Sequence, residues 1–369
     1  MLNPIVQKKK RCFLLDYCAS RLIEENGTPV EAKNEQKMSK IFEALLKNLK
    51  EKFKETGDRA LGKSMDEAIP KYSDKDKRIF DFLCANLEYG TGGDLLALSQ
   101  LNWDLDDEFR YGDDDMLLME GSQQLVEELA VDIDIKFERV VKEVRYSESK
   151  VEVICENGET FVGNVAVLTL PLGVLKSEKV IFNPPLPPYK RESIGHLGAG
   201  DTYKIAILFE KSFWEEDKIW FGKVLSDNSR RDDRGLFYSW MNYEPITKLP
   251  ILVAYVSGKA IRSLDSKSDE EVFNEAIKTI TPMFRLPSPP KVLQYSLHRW
   301  GKDPFALGSR CYVGIGATGE DFDQLAKPLS VAGNTKIFFA GEHTNRNFFG
   351  TFSGAFGSGL REAEKIHKL

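Results

Sequence analysis

The segment from Ile337 to Ala363 limits the fold more than any other part of this chain. It reads Ile-Phe-Phe-Ala-Gly-Glu-His-Thr, then Asn-Arg-Asn-Phe-Phe-Gly-Thr-Phe-Ser-Gly-Ala-Phe-Gly-Ser-Gly-Leu-Arg-Glu-Ala. The apolar run Ile337 to Ala340 predicts a buried strand. It delivers Gly341 and Glu342 to the end of a sheet, where backbone N–H groups and one carboxylate meet a polar ligand. Thr351 then opens a helical stretch with Gly354, Gly357 and Gly359, small enough for a flat ring system to approach the backbone. A Gly-Glu turn alone is more often a strand-to-helix connection without a ligand. The full string favours the ligand site.

A chain of 369 residues with 42% hydrophobic content supports a large core and two or more structural units. Its 57 acidic and 51 basic residues leave a formal charge of -6, which argues against a general grip on nucleic acid. Cys12, Cys18, Cys84, Cys155 and Cys311 show no Cys-x-x-Cys spacing, and the four histidines form no metal pattern, so reduced cysteines and no metal are expected. No stretch reaches the roughly 18 apolar residues of a membrane span, and the N-terminus lacks an apolar signal core. A non-secreted protein without a membrane segment is expected. Lys8 to Arg11 reads as a nuclear address or as a solvated basic turn.

Apolar residues at Ile41, Phe42, Leu45, Leu46, Leu49 and Phe53 recur at three and four, predicting an amphipathic helix that ends near Thr56-Gly57. A second helix is predicted over Asp74 to Leu87, with Glu88 to Gly93 as a loop. Leu125 to Ala130 reads as helix and Ile133 to Phe137 as a strand. Val151 to Cys155 and Thr160 to Val162 read as a hairpin around Asn157-Gly158. Val165 to Leu170 reads as a strand covered on both faces. Together these predict a mixed α/β, or α+β, fold.

Four strings now combine: the C-terminal one; Thr169-Leu-Pro171-Leu-Gly-Val-Leu-Lys176; Gly198-Ala-Gly-Asp-Thr-Tyr-Lys204 with Phe213-Trp214; and Arg299-Trp300-Gly-Lys-Asp-Pro-Phe305-Ala-Leu-Gly-Ser309. In order and spacing they resemble the flavin-dependent amine oxidases, in particular the lysine-specific histone demethylase branch. The resemblance implies a two-domain fold, with a Rossmann-type FAD-binding part at about 110–201 and 319–369, and a substrate part at about 1–109 and 202–318. It implies FAD as cofactor and oxidative demethylation of mono- or dimethyl-lysine in a histone tail, with oxygen reduced to hydrogen peroxide. A trimethylated nitrogen has no lone pair for imine formation and is excluded. Polyamine oxidation of spermine or spermidine is the same-class alternative. A catalytically inert remnant or protein-binding module is the alternative of another class. The nucleus is the implied location, otherwise the cytoplasm.

By the same resemblance, Lys204 acts catalytically by holding a water, and Trp300 and Phe305 wall the site. Glu342 bonds the ribityl chain, and Gly341, Thr351, Phe352, Pro171 and the backbone of Val141 contact the cofactor. Asp104, Asp106, Asp107 and Glu108 line a substrate cleft that attracts a basic tail, with Tyr89 and Tyr312 nearby. On the residues alone the acidic run is equally a solvated loop. Arg310 stands where the family has an aromatic residue, and Ser353 where it often has histidine; an Arg310 pointing at the site repels a cationic amine. The helix around Leu45 carries no insertion for docking a corepressor. The family's opening strand, Gly-x-Gly-x-x-Gly turn and helix are not found at the front of this chain. Gly90-Thr-Gly-Gly and Gly198-Ala-Gly do not replace them. A partial chain that binds FAD weakly by itself is expected.

Overall fold

A computed structural model describes residues 12–53, 57–109, 115–227 and 229–369. Lys8 to Arg11 and the side chain of Glu108 fall outside that description.

The larger sheet has six strands in the order Val292–Arg299, Tyr203–Phe209, Ile251–Val256, Ser239–Asn242, Trp220–Val224 and Ser20–Glu24. All neighbours run antiparallel except the last pair. Side chains alternate across a strand, so Tyr203, Ile205, Ile207 and Phe209 enter one core while Lys204 faces the other way. The covering helix is Asp269–Met283, started by a Ser268/Glu271 capping box and burying Val272, Ala276, Ile280 and Met283 along one stripe. Each of the larger ones, Val272, Ile280 and Met283, stabilises by about 1.5–3 kcal/mol when fully buried. The opposite face carries Val253, Tyr255, Tyr238 and Met241, packed against the Asp74–Thr91 helix and the small sheet Cys12–Leu14 with Met116–Leu118.

A second core lies between the sheet Leu329–Val331, Asn334–Phe339, Ala166–Leu168 and the four-stranded sheet Thr160–Gly163, Val151–Cys155, Val141–Tyr146, Ile181–Asn183. Asn334–Phe339 runs parallel to Ala166–Leu168. The expected mixed α/β architecture is present, as are the Val151 hairpin and the helix near Leu125, here Gln123–Leu129.

Three expectations on elements are corrected. The second helix runs on to Thr91, because Glu88 is buried against Arg234, Thr91 Oγ1 donates to the Leu87 carbonyl at 2.8 Å, and Gly92 at φ 80° supplies the left-handed cap. Ile133 to Phe137 forms no strand: its apolar residues are exposed, and alternation without a hydrogen-bonded neighbour does not make a ladder. The strand at Val165 shrinks to Ala166–Leu168, whose Val167 is 42% exposed at the end of its sheet, so it is not covered on both faces. Pro171, which has no N–H, opens the short helix Leu172–Lys176 instead.

Candidate functional site

The strand Asn334–Phe339 ends at Ala340, and the chain then turns through Gly341 and Glu342. The helix Phe352–His367 fixes this turn. Ser358 Oγ accepts from the Gly341 N–H at 2.8 Å, and Arg361 donates to the carbonyls of Phe339 at 2.9 Å and Thr344 at 2.6 Å. Thr351 caps the helix by accepting from the Gly354 N–H at 3.0 Å.

Gly341 and Glu342 face a cavity of about 410 Å³, closed by Trp300, Arg310, Pro171 and the small residues Gly173, Ala199, Gly308 and Gly359. Trp300, at the end of the Val292–Arg299 strand, is 37% exposed into it. Its ring meets that of His298 edge-on at 4.1 Å. His298 pairs with Lys204 across the sheet, so both lie on one face. Lys204, whose side chain is exposed, reaches back over the Tyr255 ring at 5.5 Å, and partial desolvation of its amine lowers it below the usual lysine range. Lys204 thus shares a sheet face with the strand that ends at Trp300, but its amine turns towards Tyr255, and it lines neither this cavity nor the one that holds Val141.

Glu342 is fully engaged. Its Oε1 accepts from the Cys311 N–H at 3.3 Å, and its Oε2 from the Cys311 thiol at 2.7 Å and the Gly350 N–H at 2.6 Å. Burial, followed by the Glu342 charge, pushes the Cys311 thiol well above its usual range. Cys311 was missed in the sequence, and no local signal marks it, since 31 residues separate it from Glu342.

A second cavity of about 820 Å³ holds Val141, Phe305, Leu170 and Val174, with Pro171 common to both. Phe305, 63% exposed, belongs to this cavity and not to the Trp300 wall. Phe352 is 65% exposed, and Thr351 lies off both walls. Tyr89 packs on Tyr255 at 4.9 Å and Tyr238 at 6.2 Å, and burial lifts its hydroxyl to about 12. Tyr312 covers Gly198 and Gly93, away from both cavities. Asp104 pairs with Lys50 at 2.7 Å. Asp106 and Asp107 follow in the same turn, and none of the three lines either cavity. Ser353 is half-buried at the start of the last helix. Among the described residues, no group of three His, Cys, Asp or Glu is placed to hold a metal. Nor, among them, is any helix long and apolar enough to cross a membrane.

The sequence does contain one Gly-x-Gly-x-x-Gly string, Gly314-Ile-Gly316-Ala-Thr-Gly319, before the helix Gly319–Ala326. It is not a phosphate cradle. Thr318 and Asp321 close a capping box there, Glu320 adds a negative charge, and the Gly316 N–H donates to Asp58 at 2.7 Å.

A slot floored by glycine and alanine and bordered by a carboxylate and a tryptophan, at the end of a parallel strand pair, suits a flat ring with a hydroxylated tail. The chain belongs to the flavin containing amine oxidoreductases, whose family model matches residues 14–367. FAD is the cofactor of that family. The chain is 36% identical over 358 residues to lysine-specific histone demethylase 1 homolog 3 of Oryza sativa subsp. japonica, covering 94% of this chain and 43% of that protein. It is 33% identical over 358 residues to Protein FLOWERING LOCUS D of Arabidopsis thaliana (94% and 44%). It is 35% identical over 316 residues to a possible lysine-specific histone demethylase 1 of Drosophila melanogaster (80% and 35%). The chain thus spans less than half the length of these relatives.

Proposed function

We propose that the Trp300–Glu342 cavity seats the ring and ribityl portion of FAD for oxidation of the N-methyl group of mono- or dimethyl-lysine, in a histone tail or similar peptide. The observation that carries this reading is the cavity itself, in which a tryptophan wall faces Gly341 and Glu342 across a floor of glycine and alanine. When bound, FAD accepts the hydride from the carbon next to nitrogen, and oxygen takes the electrons on to peroxide. Around it the chain's own residues bind, orient and exclude water. Gly341 and its small neighbours would admit the ring, and through Pro171, common to both cavities, Val141 in the second would hold the adenosine end. Lys204, its amine lowered by partial desolvation, would hold a water at Nζ on the Tyr255 side.

The capped Gly314–Gly319 turn gives the pyrophosphate no cradle, so the chain by itself holds the dinucleotide weakly in this reading. Residues 1–109 with 202–318 form the substrate part, and 110–201 with 319–369 the cofactor part. The nucleus is the working location. The test supplies FAD to the full protein and compares peroxide release from a dimethyl-lysine peptide and from spermine. Release on the peptide supports the proposal. Release on spermine alone moves the site to polyamine oxidation.

A further inference from the structure

The loop from Trp300 to Ser309 lines both cavities, the smaller with Trp300, Ala306, Gly308 and Ser309 and the larger with Pro304 and Phe305. It closes on itself, since the Trp300 carbonyl accepts from the Asp303 N–H at 3.2 Å and from the Gly308 N–H at 3.3 Å. Its two ends rest on adjacent residues of another segment. The Ser309 N–H donates to the Gly200 carbonyl at 2.6 Å, and the Gly301 N–H to Oδ1 of Asp201 at 2.9 Å. The sheet ladder stops at Arg299, opposite Tyr203, so Trp300 stands between the end of the ladder and the Asp201 tie. The fit there is close as well as polar. A β-carbon on Gly301 would sit 2.1 Å from Oδ2 of Asp201, which leaves room for glycine alone. Asp201 is half-buried, and its hydrogen bonds go to the backbone N–H groups of Gly301 and Thr202. Burial raises its carboxyl, Asp265 adds to the rise, and the two N–H groups and His298 oppose it. A carboxylate bonded in this way anchors the chain that carries those N–H groups.

We propose that Asp201 is a positioning residue for the flavin slot: by holding the Gly301 N–H it sets how the Trp300 ring stands across from Gly341 and Glu342. This rests on the reading of the Trp300–Glu342 cavity as the seat of the flavin ring, and it adds a residue that reaches the ring only through its neighbour. The indole is partly exposed, with the His298 ring at its edge, so side-chain packing alone does not fix it. The backbone on either side does, at Arg299 through the ladder and at Gly301 through Asp201. A flat ring is held by the match of the surfaces that enclose it, and a wall that tilts opens the slot to water. Asp201 lies just ahead of the Tyr203–Phe209 strand, so the segment that carries Lys204 also holds the wall.

The test is optical and needs no turnover. An indole beside an excited flavin quenches its emission by electron transfer, so the fluorescence of FAD bound to the full protein, with unbound FAD removed, reads the Trp300 wall. Trp300→Phe is expected to raise that emission several-fold. Asp201→Ala should raise it by a comparable factor, and Asp201→Asn, which keeps the accepting oxygen, should leave it close to native. Asp201→Ala added to Trp300→Phe should change nothing further. Gly301→Ala crowds the same carboxylate from the loop side, so it should brighten the flavin too, and it takes the place of Asp201→Ala if that variant does not fold. Circular dichroism and the FAD content of each variant separate these effects from misfolding and loss of cofactor. Emission that rises in Trp300→Phe but stays native in folded Asp201→Ala overturns the proposal and leaves the flavin slot standing. Equal brightening by Asp201→Asn and Asp201→Ala overturns it as well, because the accepting oxygen then does not hold the wall. Emission that stays native in Trp300→Phe with FAD bound overturns the flavin slot itself, and the proposal with it.

Discussion

The thiol of Cys311 lies 2.7 Å from Oε2 of Glu342, and the N–H of the same residue reaches Oε1 at 3.3 Å. Together with the Gly350 N–H, 2.6 Å from Oε2, this residue sets the position and the rotation of the carboxylate that borders the cofactor cavity. A thiol is a weak donor, but in a site with little water its loss leaves acceptor capacity unmet. Cys311→Ala should destabilise the fold by about 1–3 kcal/mol, and Cys311→Ser by less because a donor remains. Urea unfolding of the two variants checks this, and equal losses would contradict it. Native Cys311 should also resist alkylation, being fully buried with a raised thiol, whereas the exposed Cys18 reacts. Mass spectrometry of the modified sites reads the difference.

Left-handed Gly350 (φ 67°) tests how closely the Arg310 side chain is packed, since a β-carbon there would sit 2.7 Å from its Nε. Alanine at Gly158, another left-handed glycine, has nothing within 4 Å of the new carbon and should cost only the backbone penalty of about 1–2 kcal/mol. Alanine at Gly350 meets the Arg310 guanidinium as well and should cost distinctly more. Arg310→Ala in the same chain should relieve part of that excess. Thermal unfolding of the single and double variants measures the coupling.

Lys190 gives the fold a pH dependence. Its buried ammonium donates to the carbonyls of Gln324 at 3.0 Å, Leu325 at 2.8 Å and Lys327 at 2.8 Å, and lies 3.7 Å from the centre of the Phe339 ring. Burial lowers its amine from 10.5 to about 7; Glu362 opposes this shift, and Lys327 and Lys365 add to it. Between those values the unfolded chain holds a proton that the folded chain has released. Stability should therefore rise as pH climbs from about 7 towards 10. Lys190→Met should lack that rise, and parallel pH–stability curves for the two proteins would contradict it.

What the sequence disclosed follows the range of the interactions involved. The turn at Gly341-Glu342 and the cap at Thr351 are local, written in adjacent residues, and they stand where expected. The Val151 hairpin is likewise set by Asn157-Gly158. Ile133 to Phe137 has the alternation of a strand but finds no partner, a fact of pairing that no window of sequence contains. Arg310 was visible as a departure from the family pattern, but the hold of Cys311 on Glu342, the carboxylate in the same cavity wall, was not. That link crosses 31 residues. The Gly314–Gly319 string shows the opposite limit: its spacing fits a phosphate loop, and the capping by Thr318 and Asp321 removes that role.

The most direct test of the Trp300–Glu342 cavity as the seat of amine oxidation is anaerobic. A dimethyl-lysine peptide is added to the full protein carrying FAD, and the visible flavin band is followed. The band is expected to bleach, to return when oxygen is admitted, and to bleach far more slowly in Lys204→Met. A band that stays unchanged while FAD remains bound and the peptide is present in excess would contradict it.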